Sequence, residues 1–212
     1  MGIIKRGILG GFSGRVANVV GGSWKGKAYM RSLPLSVANP KTAAQVGQRT
    51  KFSTIQAIAS ILLVVVIKPC WDRFAQGMSG YNNFIKSNID AISTAGAVTY
   101  ASLKTSIGSL TGVQDLVGTA SNGTTESIGS WTDNSGVGGA LATDQGYMVG
   151  YCVELDEWSF EEANFVRSDE SQDLAWQSNL TTGDTIHLYV NFRRPDGTLV
   201  SDSSYDEITV TA

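Results

Sequence analysis

Apolar and polar positions alternate most regularly near the C-terminal end of the chain. Ile186, Leu188, Val190 and Phe192 interleave with His187, Tyr189 and Asn191, the period of two that puts successive side chains on opposite faces of a strand. Shorter segments of the same character cover 106–110, 127–131, 147–155, 158–167, 174–177 and 198–210, the last of them broken. Pro195-Asp196-Gly197 between the final two is a turn in which Pro presets φ and Gly accepts the left-handed position. Seven short strands at this spacing predict an antiparallel sandwich of immunoglobulin or fibronectin type.

The period changes upstream. Between residues 41 and 68, Val46, Phe52, Ile55, Ile58, Ile61, Leu62 and Val65 recur at helical spacing. Asn39-Pro40 is a start signal and Pro69 ends or bends the helix. After Ile61 the pattern is apolar on every side, so this stretch is expected to be enclosed by protein. Phe52, Ile55, Ile58, Ile61, Leu62 and Val65 are therefore candidates for an assembly helix. A second helical piece carries Trp71, Phe74, Tyr81, Phe84, Ile85 and Ile89, broken near Gly77 and Gly80. Residues 1–13 read as an extended arm and 14–31 as a hairpin turning at Gly21-Gly22. In that hairpin Trp24, Gly26, Ala28 and Met30 would share one face, and Lys25, Lys27, Tyr29 and Arg31 the other. The expected fold class is α+β: arm and hairpin, helical pair, then sandwich, divided into regions 1–95 and 96–212.

Charge adds a polarity that the pattern does not show. Residues 1–71 hold ten Lys or Arg and no Asp or Glu, while the remaining 141 hold six basic and nineteen acidic residues. The front is therefore +10 and the rear −13, against a total of −3. Such segregation favours a partner of opposite charge for the front. Lys5, Arg6, Arg15, Trp24, Lys25, Lys27, Tyr29 and Arg31 are the candidate contact residues, facing either nucleic-acid phosphates or an acidic protein surface.

A catalytic set is harder to find. His187 is the single histidine and sits mid-strand without a neighbouring Asp to orient it, so a structural role is expected. Gly7, Gly10, Gly11 and Gly14 lack the spacing of a phosphate loop. Glu154, Asp156, Glu157, Glu161 and Glu162 fit a solvated edge. Asp133 and Asp144 lie in a loop that matches no calcium pattern. Cys70 and Cys152 are either a disulfide or two buried thiols, and no metal-ligand or cofactor motif accompanies them. The uncharged run 52–67 has sixteen residues, fewer than the roughly twenty of a bilayer span, so a membrane contact is not expected. The opening residues lack the apolar core of a secretory signal.

Three stretches carry a resemblance: GRVANVVGGSWKGKAYMRSLP with NPKTAAQVGQRTKF (residues 14–52), GMSGYNNFIKSNI (77–89) and SIGSWTDNSGVGGALATDQGYMVGY (127–151). Together they resemble a domain-of-unknown-function family of bacteria and their bacteriophages, over nearly the whole chain. The resemblance implies a hairpin, a helical pair and an immunoglobulin-like domain, and brings no catalytic residues. With the charge split it leads to the expectation of a non-enzymatic structural protein of a phage virion, capsid- or tail-associated. It would be made in the bacterial cytoplasm and assemble with copies of itself and other virion proteins. The alternative expectation is a glycan- or receptor-binding sandwich acting through Trp158 and Trp176.

Overall fold

The computed structural model describes the backbone of residues 3–4, and residues 11–36 and 39–212. The chain forms two compact units, 1–42 and 43–212.

The first unit is a four-stranded antiparallel meander in the order β1-β2-β3-β4: Ile3–Ile4, Phe12–Val16, Val19–Trp24 and Lys27–Ser32. Among the described residues its turns lie at Ala17-Asn18 and Lys25-Gly26. Lys25 and Gly26 both take positive φ, 48° and 80°, as a two-residue turn between right-twisted strands requires. Gly21 and Gly22, expected to form the turn, instead lie inside β3, paired with Met30 and Tyr29. They serve close packing: a Cβ at Gly22 would lie 3.0–3.3 Å from the Tyr29 ring.

The second unit has three layers. Helix α1, Ala43–Ile61, runs into a π-helical turn at Leu63–Ile67, then α2, Lys68–Trp71, and α3, Gly80–Asn88. The axis bends by 71° at the break. The break is at Leu62, seven residues before Pro69, and the π turn that follows it is a recognised source of helix kinks. In the π turn Lys68 N–H reaches Leu63 O, and the helix continues through Pro69 although its ring cannot donate a hydrogen bond and crowds the carbonyl one turn back. Ser79 caps α3 by accepting from the Asn82 N–H at 3.3 Å, and Asp72 accepts from the Gly80 N–H at 3.0 Å. Buried Asn88 ties the helices to the following segment, exchanging bonds with Lys104 of 2.7 and 3.0 Å.

Seven strands follow: β5 (Gln114–Ala120), β6 (Glu126–Thr132), β7 (Gln145–Cys152), β8 (Glu157–Val166), β9 (Ser171–Ala175), β10 (Thr185–Arg193) and β11 (Ser204–Thr209). One sheet is β5-β6-β9, the other β11-β10-β7-β8, with every ladder antiparallel. Strands one, two and five face three, four, six and seven, a β-sandwich in which strand four pairs with strand three, where the constant immunoglobulin type places it beside strand five. The expected α+β architecture therefore holds. Its first strand is shifted, since 106–110 keeps only a bridge from Leu110 to Ser201 and β5 takes its place.

Ile186, Leu188, Val190 and Phe192 fill the core between the sheets with Trp131, Met148, Phe165 and Leu174. Tyr189 and, from β7, Tyr147 and Val149 point the other way and share a second core with Ile55, Ile58, Leu62, Val66 and Ile67. The helices are thus an outer layer on the sandwich. The break in contacts falls after Thr42 and not after residue 95, because each fully buried Ile or Leu adds about 1.5–3 kcal/mol by joining helix to sheet.

Candidate interaction surface

Register in the N-terminal meander decides which side chains share a face. Arg15 stands opposite Val20, Val20 opposite Arg31, Gly22 opposite Tyr29 and Trp24 opposite Lys27. Directly paired residues project to the same side of a sheet. Arg15, Trp24, Lys27, Tyr29 and Arg31 therefore occupy one face. This corrects the expectation that Trp24 lies on the apolar side: a turn of two residues puts the positions flanking it, 24 and 27, on the same face.

Trp24, Lys27 and Tyr29 line a shallow notch of about 420 Å³. Trp24 is 67% exposed and Tyr29 48%. The turn residue Lys25 places its Nζ 5.4 Å from the Trp24 ring centroid, within reach of a cation–π attraction. Arg15 donates from Nε to Ala17 O at 3.0 Å, bracing the first turn. Residues 1–42 carry seven Lys or Arg and no acid, so nothing within this unit neutralises the face. Lys5 and Arg6 lie outside the described residues. Sequence reasoning missed Gly22, whose bare backbone leaves room for the Tyr29 ring; a glycine pair inside a strand pattern is the signal for such an approach.

The opposite face of the meander carries Phe12, Val16, Val19, Ala28 and Met30 and, among the described residues, no charged side chain. Val16 and Met30 are well exposed.

The candidate assembly helix is divided by the fold. Ile55, Ile58 and Leu62 are buried in the chain's own second core, and Val65 packs against it. Only Phe52 and Ile61 of the six remain outward. No single helix among the described residues is long and apolar enough to cross a membrane; α1 with the segment 63–71 passes by length and composition only as a bent pair.

The other candidates for chemistry are engaged structurally. His187 stacks on Tyr100, centroids 4.2 Å apart, and its Nδ1 lies 2.9 Å from the Tyr205 hydroxyl. That hydroxyl donates its proton to Glu207 at 3.0 Å, so the shared proton belongs on Nδ1. Burial pushes the His187 pKa down, with Glu207 and Glu154 pulling the other way. Asp156 accepts from the Tyr151 hydroxyl, Glu157 from the Gln177 N–H and Glu154 from the Thr185 N–H. Asp133 forms a local turn with Ser135, whose hydroxyl and N–H hold its carboxyl below the usual range. Asp144 is buried and pairs with Arg167. No group of three or more potential metal ligands occurs among the described residues. Cys70 and Cys152 are both free and buried, in different cores, which resolves the disulfide alternative. Trp176 is buried and donates to Ser127 Oγ, and Trp158 packs on Tyr151 at 4.7 Å.

A solved structure titled "Myokine structure" is similar over 49% of this chain and 100% of its own, at 11% identity and a TM-score of 0.33, a likeness that bears on neither fold nor function. No curated protein matches the chain. A family model matches residues 11–206, spanning both units, and the chain accordingly belongs to the family of unknown function DUF6266.

Proposed function

We propose that this chain is a non-enzymatic structural protein that attaches to a partner of opposite charge through the N-terminal meander. The acidic sandwich unit faces solvent. In the phage setting that the sequence resemblance implies, it is a virion component, capsid- or tail-associated, assembling with copies of itself and with other virion proteins. The observation that carries this reading is the gathering of Arg15, Lys27, Arg31, Trp24 and Tyr29 on one sheet face in a unit without acids. Further support comes from net charge by unit. Residues 43–212 hold nine basic and nineteen acidic residues, so the two units have opposite sign and neighbouring copies attract head to tail. The second face of the meander, uncharged among the described residues, offers apolar area to the same contact, at about 25 cal/mol per Å² covered.

Light scattering of the purified chain during size-exclusion chromatography tests it. The full chain is expected to form assemblies larger than a monomer at about 50 mM salt that shrink at about 200 mM, while residues 43–212 alone stay monomeric. A full chain that remains monomeric at both ionic strengths, with no affinity for virion proteins, overturns the reading.

A further inference from the structure

The partner of the basic face can be narrowed by its aromatic rings. An acidic protein surface would be served by cations alone. Here two exposed rings flank a cation: Trp24 pairs across the ladder with Lys27, and Tyr29 follows Lys27 two residues along β4 on the same face. Trp24 and Tyr29 are diagonal neighbours across the β3–β4 ladder, about 7–8 Å apart, so the rings are separate platforms with Lys27 beside both. Arg15 and Arg31 extend the positive charge along the face behind Tyr29. Two rings side by side with cations along their edges suit neighbouring bases of an unpaired strand and the phosphates that flank them. Stacking on such rings is open to unpaired bases, whose faces are free, and closed to a duplex. Lys25 Nζ lies over one face of Trp24 at 5.4 Å, so a base would stack on the opposite face, with Lys25 near enough to meet an adjoining phosphate. We infer that the Arg15–Trp24–Lys27–Tyr29–Arg31 face binds single-stranded nucleic acid by base stacking, an inference that rests on the attachment role proposed above and names its partner.

Titration of the full chain with three probes tests it: an oligothymidylate of about 20 nucleotides, a duplex of the same length, and polyglutamate, each at about 50 and about 200 mM salt. The single strand is expected to bind about tenfold tighter than the other two. Trp24→Ala and Tyr29→Ala each weaken single-strand binding about tenfold and leave duplex binding unchanged. Trp24→Phe retains most of the affinity. Lys27→Gln and Arg31→Gln weaken every probe and each lower the salt slope by about one. Both rings are exposed, so the variants should keep the wild-type circular dichroism spectrum, which is checked alongside. Equal affinity for duplex or polyglutamate, or aromatic variants that bind like wild type, overturns the nucleic-acid inference and leaves the charge-driven attachment standing. Binding to none of the three overturns both.

Discussion

Arg167 donates to Asp144 at 3.2 Å with neither side chain touching solvent. The guanidinium also donates to the carbonyls of Thr111 and Gly112 and to the Asn134 amide oxygen, and lies 4.2 Å from the Phe192 ring centroid. Trp131 in turn donates from its indole N–H to Arg167 O at 2.8 Å. One charged pair thus joins the loop before β5, the loop between β6 and β7, and the end of β8. Arg167→Leu would leave the buried Asp144 carboxylate with the Leu141 N–H at 2.9 Å and only the longer contact to Arg194 Nε at 3.7 Å. The expected loss is about 3 kcal/mol, the lower end for breaking a buried pair, because Arg194 compensates part of the charge. The double variant Arg167→Leu, Asp144→Leu should lose less than Arg167→Leu alone. Urea unfolding midpoints check both, and a double variant as unstable as the worse single one would contradict the account.

The two sides of the segment 52–62, α1 and the residue after it, make separable predictions. Leu62 is fully buried against the sandwich, so Leu62→Ala is expected to cost about 2–5 kcal/mol. Phe52→Ala, at an outward position, should change stability by less than about 0.5 kcal/mol. Denaturant unfolding of both variants decides whether the helix belongs to the fold of this chain; equal effects would refute the assignment of faces.

His187 makes stability depend on pH in a stated direction. Burial lowers its pKa below 6.5 in the folded chain, so the unfolded chain binds the proton first as pH falls. Stability is then full above about pH 6.5 and declines below it, towards the folded pKa. The unfolding midpoint should fall between about pH 7.5 and about pH 5.5 in the wild type and stay flatter in His187→Phe, which keeps a ring to stack on Tyr100. Identical slopes in the two proteins would remove His187 as the cause.

Both thiols should be silent in the native protein. Burial raises the Cys70 pKa to about 12 and that of Cys152 as well, and the thiolate is the reactive form. A thiol-specific chromogenic reagent is expected to label neither cysteine at neutral pH and both in denaturant. Rapid labelling of the native chain would show that one of the cores opens.

Much of the fold was legible because local pattern reports local structure. The alternation at 185–192 marked β10, and the helical spacing of Ile55, Ile58 and Leu62 marked the inward side of α1. β5 escaped because its ladder is irregular between Gln114 and Val117 and Asp115 has positive φ, so no clean period survives. Arg167 escaped for a different reason. Its partner is 23 positions away, and nothing local distinguishes a buried arginine from a solvated one. The basic face was legible in residue types but not in geometry. Trp24 joined the cations only once the turn was placed at Lys25-Gly26, and a slip of one residue in register moves a side chain to the other face.

Charge segregation, the strand and helix periods and the absence of acids from the first 71 residues are properties of the sequence alone, since each depends only on the order of residue types. Tertiary structure decided what covers what. Tyr189 and Val149, on the second face of a sandwich sheet, are buried because α1 and the π turn lie over them. The helix expected to meet other subunits therefore spends most of its apolar side on its own chain. The physical reason is that hydrophobic burial has no direction: a sequence specifies how much apolar surface must leave water, and the three-dimensional arrangement selects the surface that receives it.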